Sequence, residues 1–455
     1  MNSDNNINYY LKMSLPRVLI FGQPFNDKHG GGITLTNLFK GWDKERIAVA
    51  ATGHVMKNVT TDVCETYYQL GLQEYKWRFP FNLVQRKFPS GLKSFKPGGI
   101  QVAGRRKADF RYSLVNRVFY PLLEWIGILH NSATIRMSNN FTEWLKEYNP
   151  EVLYLQVATF DTIKFAHTLL DHLEIPAVIH MMDDWPSTIS KKGLFSKYWK
   201  RKIDQEFIRL LDRTGLFLSI SDAMSDEYRK RYSKEFIPFH NPVEVDFWKR
   251  YPKKSYKLKN GHVKVLYSGR IGRGIANSLL ELSEAVEHIN TSDIPVKLYI
   301  QSPSENSSLL TRLLENKNVI VNPVAAYNEL PAIYSQADIL VIVNDFDEAS
   351  VNFLRYSMPT KASEFLISGT PVLVYSHRDT AISKFFSEKR CGSCVSDHDI
   401  SKLADALVHL IKNEHYRAEL GSNATRLAEE LFDSRKVRMQ FQGYINNLLE
   451  PNAKL

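Results

Sequence analysis

The sequence predicts an α/β protein built as two domains, each a parallel sheet covered by helices. Three observations carry that expectation. The chain has 455 residues, more than one small core accommodates. Apolar runs of strand length alternate with amphipathic helical stretches in both halves. In each half the opening strand runs into a glycine-bearing turn ahead of a helix, at Gly30-Gly31-Gly32 and again at Gly269-Arg270-Ile271-Gly272-Arg273-Gly274.

Taken in order, Leu15 to Phe21 reads as a buried first strand broken by Gly22-Gln23-Pro24, and the three glycines lead into the helical pattern ITLTNLFKGW. Glycines there let backbone approach a phosphate, although the run is neither GxGxxG nor a Walker A loop. Arg46 to Ala51 is the second strand. Helix Phe141 to Tyr148, stopped by Asn149-Pro150, is followed by strand Glu151 to Val157, helix Asp161 to Leu173 and strand Ile175 to His180, a rhythm that implies parallel pairing. Ligands meet such sheets at the carboxyl ends of their strands, here at Gln156 and at His180-Met181-Met182-Asp183-Asp184-Trp185. The histidine and two acids suit acid–base work or sugar hydroxyls; alternatively His180 is satisfied by backbone and an aspartate caps the next helix. Paired aspartates without a further ligand are poor evidence for a metal, and none is expected. Leu216 to Ile220 is expected as the last strand of this half, before a helix capped by Ser221 or Asp222.

Arg250 to Gly261 is basic and proline-interrupted, as a linker would be. Strand Val263 to Ser268 enters the second glycine turn, where Arg270 and Arg273 could hold a pyrophosphate between planar guanidiniums. A helix to Ile289, strands Pro295 to Ile300 and Val319 to Val321, a short helix Tyr327 to Gln336 and the buried strand Ala337 to Val343 follow. Asn344 to Glu348 supplies three acids at that strand's exit. Next comes Tyr356 to Tyr375, YSMPTKASEFLISGTPVLVY: a loop, a helix from Thr360 to a stop at Gly369, then a strand. A helix entered through Ser357, Pro359 and Thr360 turns free N–H groups toward the loop, Lys361 adds a charge beside them, and Glu364 lies one turn on, placed to accept bonds from ribose hydroxyls. Ser434 to Leu449 is a last amphipathic helix.

The run PxKxxE followed by GTPV resembles the donor-nucleotide signature of retaining glycosyltransferases of family four. The resemblance implies the GT-B fold, two Rossmann-like domains with parallel sheets facing a central cleft. It further implies that Glu364 holds the ribose of a nucleotide-sugar donor, that Arg270, with Arg273 in place of a lysine, binds the diphosphate together with Ser357, Thr360 and Lys361, and that Gly31 and Gly32 lie near the donor phosphates. His180 is placed against the donor sugar, with Met182 competing for that register, and Asp183 and Asp184 complete the expected catalytic set. Asn322 to Ala325 is expected beside the base. Tyr356 stands where the family signature has a second glutamate, which bears on the sugar transferred. Phe239-His240-Asn241-Pro242-Val243 resembles the family's crossover between domains. The expected boundaries are therefore 1–242, an acceptor-side domain, and 243–433, a donor-binding domain, with the helix 434–455 packing back on the first.

Composition fits this reading. Apolar residues are 44% and charged residues 24%. No apolar run approaches the length of a spanning helix and the N-terminus lacks a signal-peptide pattern, so a cytoplasmic protein is expected, at most at the inner face of the membrane. Three cysteines make no disulfide framework, and Cys391-Gly-Ser-Cys394 alone is read as packing. The net charge of +10 is concentrated: from Lys76 to Arg117 eleven Lys and Arg face one acid, Asp109, interleaved with aromatics. That segment suits a membrane surface or a polyanionic acceptor better than nucleic acid, for which no motif is present. The expected activity is transfer of a sugar from a nucleotide-diphosphate donor to a glycan or lipid-linked acceptor, in cell-surface polysaccharide biosynthesis, without a cofactor. A GT-B sugar-nucleotide epimerase, a nicotinamide oxidoreductase and a non-catalytic glycan- or membrane-binding protein are the rival readings.

Overall fold

A computed structural model describes residues 15–27, 30–56, 58–79, 81–83, 85–94, 123, 125–189, 193–258, 261–290, 295–303 and 308–450. Most of the basic segment 76–117 lies outside them. The chain divides into two units, one comprising the described residues of Met1–Ile220, Ser225–Phe239 and Arg438–Leu455, the other Ser221–Met224 and His240–Val437.

The strands of the first unit are β1 (Val18–Phe21), β2 (Ile47–Thr52), β3 (Thr66–Leu70), β4 (Tyr75–Trp77), β5 (Gly91–Leu92), β6 (Ala133–Ile135), β7 (Val152–Leu155), β8 (Ala177–Met181), β9 (Leu216–Ser219) and β10 (Phe236–Pro238). Among the described residues they form an eight-stranded sheet of order β10-β9-β8-β7-β1-β2-β3-β5, with β4 and β6 paired separately. Only the β3–β5 pairing in the large sheet is antiparallel. Strand β1 is flanked by β2 and β7, Val18 lying opposite Ile47 and Val152, so the strand order reverses at its carboxyl end. There Gly22, at φ +108°, passes so close to Gln156 that a Cβ would fall 2.1 Å from that residue's carbonyl oxygen.

The expectation that β9 ends this sheet is corrected: Phe236–Pro238 adds a further parallel strand beside it. Three residues ending in proline give a weak periodic signal, and an edge position is where proline is tolerated. Strands β4 to β6, of two or three residues each, likewise carry too few residues to be read from spacing.

The second unit contains β11 (Val263–Ser268), β12 (Val296–Gln301), β13 (Val319–Asn322), β14 (Ile339–Val343), β15 (Val372–Tyr375) and β16 (Ser393–Val395). Their order, β13-β12-β11-β14-β15-β16, is wholly parallel and reverses between β11 and β14. Both faces are buried, as a parallel sheet requires. Val265 and Val341 pack with helices Ala276–Ile289 and Ile400–Lys412 on one side. Leu266, Leu340 and Ile342 pack on the other against Tyr334, Phe365 and Leu366. Cys391 belongs to that second cluster. Burial pushes the Cys391 and Cys394 thiols up to about 12.

The last helix, Ser434–Asn447, begins in the second unit and continues into the first, where Phe441 is fully buried among Phe39, Trp42, Tyr154 and Phe239. Replacing Phe441 by alanine is expected to destabilise the first unit by about 3–5 kcal/mol, the range for emptying a buried aromatic site. Chemical denaturation of the variant measures this, and a loss below about 1 kcal/mol would contradict the packing described.

Candidate functional site

The sheet reversal of the second unit sets two strand exits side by side. At one, β11 leads into the Gly269–Gly274 turn; at the other, β14 leads into Asn344 and Asp345, and the Asp345 amide donates to the Gly274 carbonyl at 2.8 Å. Asp345 is buried and accepts from the Ser278 amide at 2.8 Å, which fixes the start of helix Ala276–Ile289. Asp347 caps the next helix by accepting from Ser350 N. Of the three acids at this exit, two thus have structural bonds, and Glu348 is exposed in the first turn of helix Glu348–Leu354.

Beside these exits lies helix Thr360–Ser368. Pro359 is its N-cap and makes no side-chain capping bond, so the entry resembles an anion-receptive end more than a closed one. Asn241 Nδ2 donates to the Thr360 carbonyl at 3.2 Å, and Gly369, in the left-handed region, stops the helix. Lys361 Nζ reaches Tyr334 Oη at 3.0 Å and Glu364 Oε2 at 3.4 Å, and Tyr334 Oη lies 2.9 Å from Ser268 Oγ at the end of β11. Tyr334 itself is stacked against Trp248 with ring centroids 5.6 Å apart. Burial raises the Glu364 carboxyl above the ordinary range, partly offset by Lys361. Burial also works against the lysine charge, but Glu364 and Tyr334 outweigh it and hold Lys361 protonated.

The glycine turn joins this cluster through Tyr267, whose hydroxyl donates to the Arg270 carbonyl at 2.6 Å. Burial raises the Tyr267 hydroxyl, and the nearby charges of Arg270 and Lys361 both pull it down. Arg270, Lys361 and Glu364 are thereby gathered around two tyrosines at the carboxyl end of one sheet. Arg273 is exposed on the same turn, its guanidinium over the Phe353 ring at 5.3 Å. Ser357 is half-buried in the loop before the helix, and the neighbouring Tyr356 carbonyl accepts from Ser221 Oγ at 2.6 Å. Chemically, the exposed guanidiniums, a half-buried ammonium and uncapped amides suit a diphosphate, and a buried carboxylate one turn away suits vicinal hydroxyls. Tyr334 and Tyr267 were not legible in the sequence: each sits in an apolar run with nothing to set it apart from other core aromatics.

The candidates of the first unit are placed differently. His180, on β8, is 2% exposed and its Nδ1 bonds the Tyr154 hydroxyl. Burial pushes its imidazole down to about 3, so it is neutral at physiological pH. Asp184 is 4% exposed and taken up by Tyr228 Oη at 2.8 Å and Arg231 Nη1 at 2.9 Å. Both hold their own unit together, and Asp183 is the one of the three whose side chain is exposed. Gly30 to Gly32 form the first turn of helix Gly30–Phe39 itself. Gly31 faces Met182, whose side chain a Cβ would touch at 3.9 Å, while a Cβ on Gly32 would overlap the Asn26 amide. Gly32 is therefore required by packing, and Met182, not His180, is the β8-exit side chain beside these glycines.

Residues 262–413, about a third of the chain, match the family model for Glycosyl transferases group 1. Over 95% of this chain the fold aligns with sucrose-phosphate synthase from Thermosynechococcus elongatus (TM-score 0.58, 12% identity, 98% of that chain). It aligns as well with HepE of Anabaena in complex with UDP and glucose (TM-score 0.58, 12% identity, 95% and 99% of the two chains). The fold is GT-B. A third GT-B structure, a TarM variant of S. aureus in complex with fondaparinux, alpha-GlcNAc-glycerol and UDP, aligns with TM-score 0.54 at 11% identity over 95% and 100% of the chains. In sequence, the chain is 21% identical over 182 residues to a poly(ribitol-phosphate) alpha-N-acetylglucosaminyltransferase of Staphylococcus aureus (strain COL). That alignment takes in 39% of this chain and 35% of the relative, so it spans about a third of the relative's length.

The Asp184 pairing gives a direct prediction. Arg231→Met leaves a buried carboxylate without its cation and is expected to cost about 3–5 kcal/mol of stability, whereas the double change Arg231→Met/Asp184→Leu recovers most of it. Denaturation of both variants checks this; equal losses in the two would show that the ion pair is not what matters.

Proposed function

We propose that this protein is a glycosyltransferase that moves a sugar from a nucleotide-diphosphate-sugar donor to a glycan or lipid-linked acceptor, with retention of configuration, in cell-surface polysaccharide biosynthesis. The observation that carries the reading is the Lys361–Tyr334–Glu364 cluster at an uncapped helix start beside the Arg270 turn, inside the stretch that matches the glycosyl transferases group 1 model. The likeness of fold to GT-B proteins crystallised with UDP supports the donor class.

In this reading the bond between the sugar's anomeric carbon and the diphosphate oxygen breaks, and negative charge grows on the departing diphosphate. Arg270, Arg273, Lys361, the Ser357 hydroxyl and the Thr360 amide are assigned to that charge, already oriented before it develops. Glu364 accepts from the ribose hydroxyls, which fixes the nucleotide and with it the scissile bond. Asp183, exposed beyond β8, is the first-unit group assigned to sugar hydroxyls; His180 and Asp184 support the strand end from within. The protein works at the inner face of the membrane, with the basic segment 76–117 turned to anionic lipid.

Arg270→Ala is expected to lower the turnover number roughly a hundredfold, as loss of a preorganised donor does. Glu364→Gln is expected to weaken nucleoside-diphosphate binding by about tenfold. Because burial raises the Glu364 carboxyl, wild-type affinity for a nucleoside diphosphate is expected to fall on acidification earlier than an ordinary carboxylate would cause, and Glu364→Gln to flatten that dependence. Radiolabelled sugar transfer and titration calorimetry provide the readouts, and full activity in both variants would refute the assignment.

A further inference from the structure

We propose that the start of helix Ser196–Asp212, together with Trp125, is a surface that seats the first unit on an anionic lipid bilayer. This inference stands on different residues from the donor site and from the segment 76–117, and does not depend on the reaction assigned above.

Four large apolar side chains stand open to solvent here: Trp125 at 52% exposure, Leu194 at 62%, Phe195 at 50% and Tyr198 at 57%. They are brought together by the backbone. Leu194 N donates to the Trp125 carbonyl at 2.7 Å, and Gly193, at φ +130°, lies so near that carbonyl that a Cβ would fall 2.2 Å from it. The helix that follows is anchored by its other face, where Trp199, Ile203 and Phe207 are buried. Trp199 packs edge-on to Phe160 and beside His130. The apolar group is therefore turned away from the core face of this helix.

Charge on the helix side of the patch is predominantly positive, with Glu124 next to Trp125 and Asp204 one turn beyond Lys200 as the nearest acids in sequence. Between Gly193 and Ile203 the sequence holds Lys197, Lys200, Arg201 and Lys202 and no acid. Lys197, Lys200 and Arg201 are exposed, Lys200 one turn from Asp204, whose carboxylate its charge helps to stabilise. Lys202 lies over the rings of Phe160, Tyr198 and Trp199 at 5.3 to 5.7 Å. Tyrosine, tryptophan and phenylalanine flanked by flexible cations are the composition of an element lying in a bilayer interface, rings at headgroup depth and cations on anionic lipid. A soluble polyanion would use the same cations but gains nothing from leucine and phenylalanine held half out of the protein, which is why lipid is the occupant that fits.

The test is co-sedimentation of the full chain with vesicles of phosphatidylcholine alone and of phosphatidylcholine with about one-third phosphatidylglycerol. The wild type is expected to bind the anionic vesicles only. Leu194→Ser/Phe195→Ser/Tyr198→Ser and, separately, Lys197→Gln/Lys200→Gln/Arg201→Gln are each expected to lower the partition coefficient by about tenfold or more, with segment 76–117 intact. The apolar variant is expected to keep wild-type affinity for inorganic polyphosphate. Unchanged melting temperatures certify the variants, and Tyr198→Ser and Lys200→Gln singly replace either triple change that melts early. Wild-type vesicle binding by the apolar variant would overturn the proposal, as would absence of wild-type binding to anionic vesicles. So would light scattering that finds a wild-type dimer made monomeric by the apolar changes, since the patch would then be covered by a second copy.

Discussion

The second unit depends on one half-buried contact: the Lys361 ammonium held between the buried Glu364 carboxylate and the Tyr334 hydroxyl. A carboxylate buried without a partner would take up a proton, and a buried ammonium without one would lose its own. Each favours the charged form of the other, although burial still leaves the Glu364 carboxyl raised, and the tyrosine ties both to Ser268 at the end of β11. The contact is thus both a strut between the start of a helix and the end of a central strand and a pair of charges stored where a ligand can use them. Its components sit on regular elements packed on both sides, which holds them to a fixed geometry.

Why these residues meet follows from the sheet. Parallel strands with helices on both faces bring every strand exit to one edge, and the reversal between β11 and β14 leaves a gap there that no crossover helix fills. The Arg270 turn leaves β11 at that gap, and the amide of Asp345 leaving β14 bonds back to its last glycine. In the first unit the reversal falls at β1, where the left-handed Gly22 passes the carbonyl of Gln156 and β7 departs on the other side. The same topology therefore builds two strand-exit surfaces, but the chemistry differs. One has exposed guanidiniums and a half-buried ion pair, and the other has glycines, Met182 and the exposed Asp183.

Much of this was written in the sequence. Runs such as Val263 to Ser268 are long, apolar and bounded by glycine, so spacing alone located β11 with its observed limits. Lys361 and Glu364 were legible because three positions along a helix put side chains on one face. The edge strand Phe236–Pro238 was not legible, since three residues ending in proline give no periodic signal. Nor was the fate of His180 and Asp184: their partners, Tyr154 and Arg231, are 26 and 47 residues away, and only folding brings them into contact. A His-x-x-Asp-Asp string at a strand exit looks the same whether its side chains face solvent or core. Aspartates 345 and 347 teach the same lesson, because a helix cap and a ligand contact need the same residue type at the same place.

The central claim is that Lys361 and Glu364 act as a coupled pair on a nucleoside diphosphate. Titration calorimetry of UDP into the wild type, Lys361→Met, Glu364→Gln and the double variant forms a cycle that measures this coupling directly. The account predicts one UDP bound per chain, each single change weakening binding by about tenfold or more, and the double change costing clearly less than the sum of the two. Binding of UDP with wild-type affinity in all three variants, or no heat of binding to the wild type from UDP or any other nucleoside diphosphate, would contradict it.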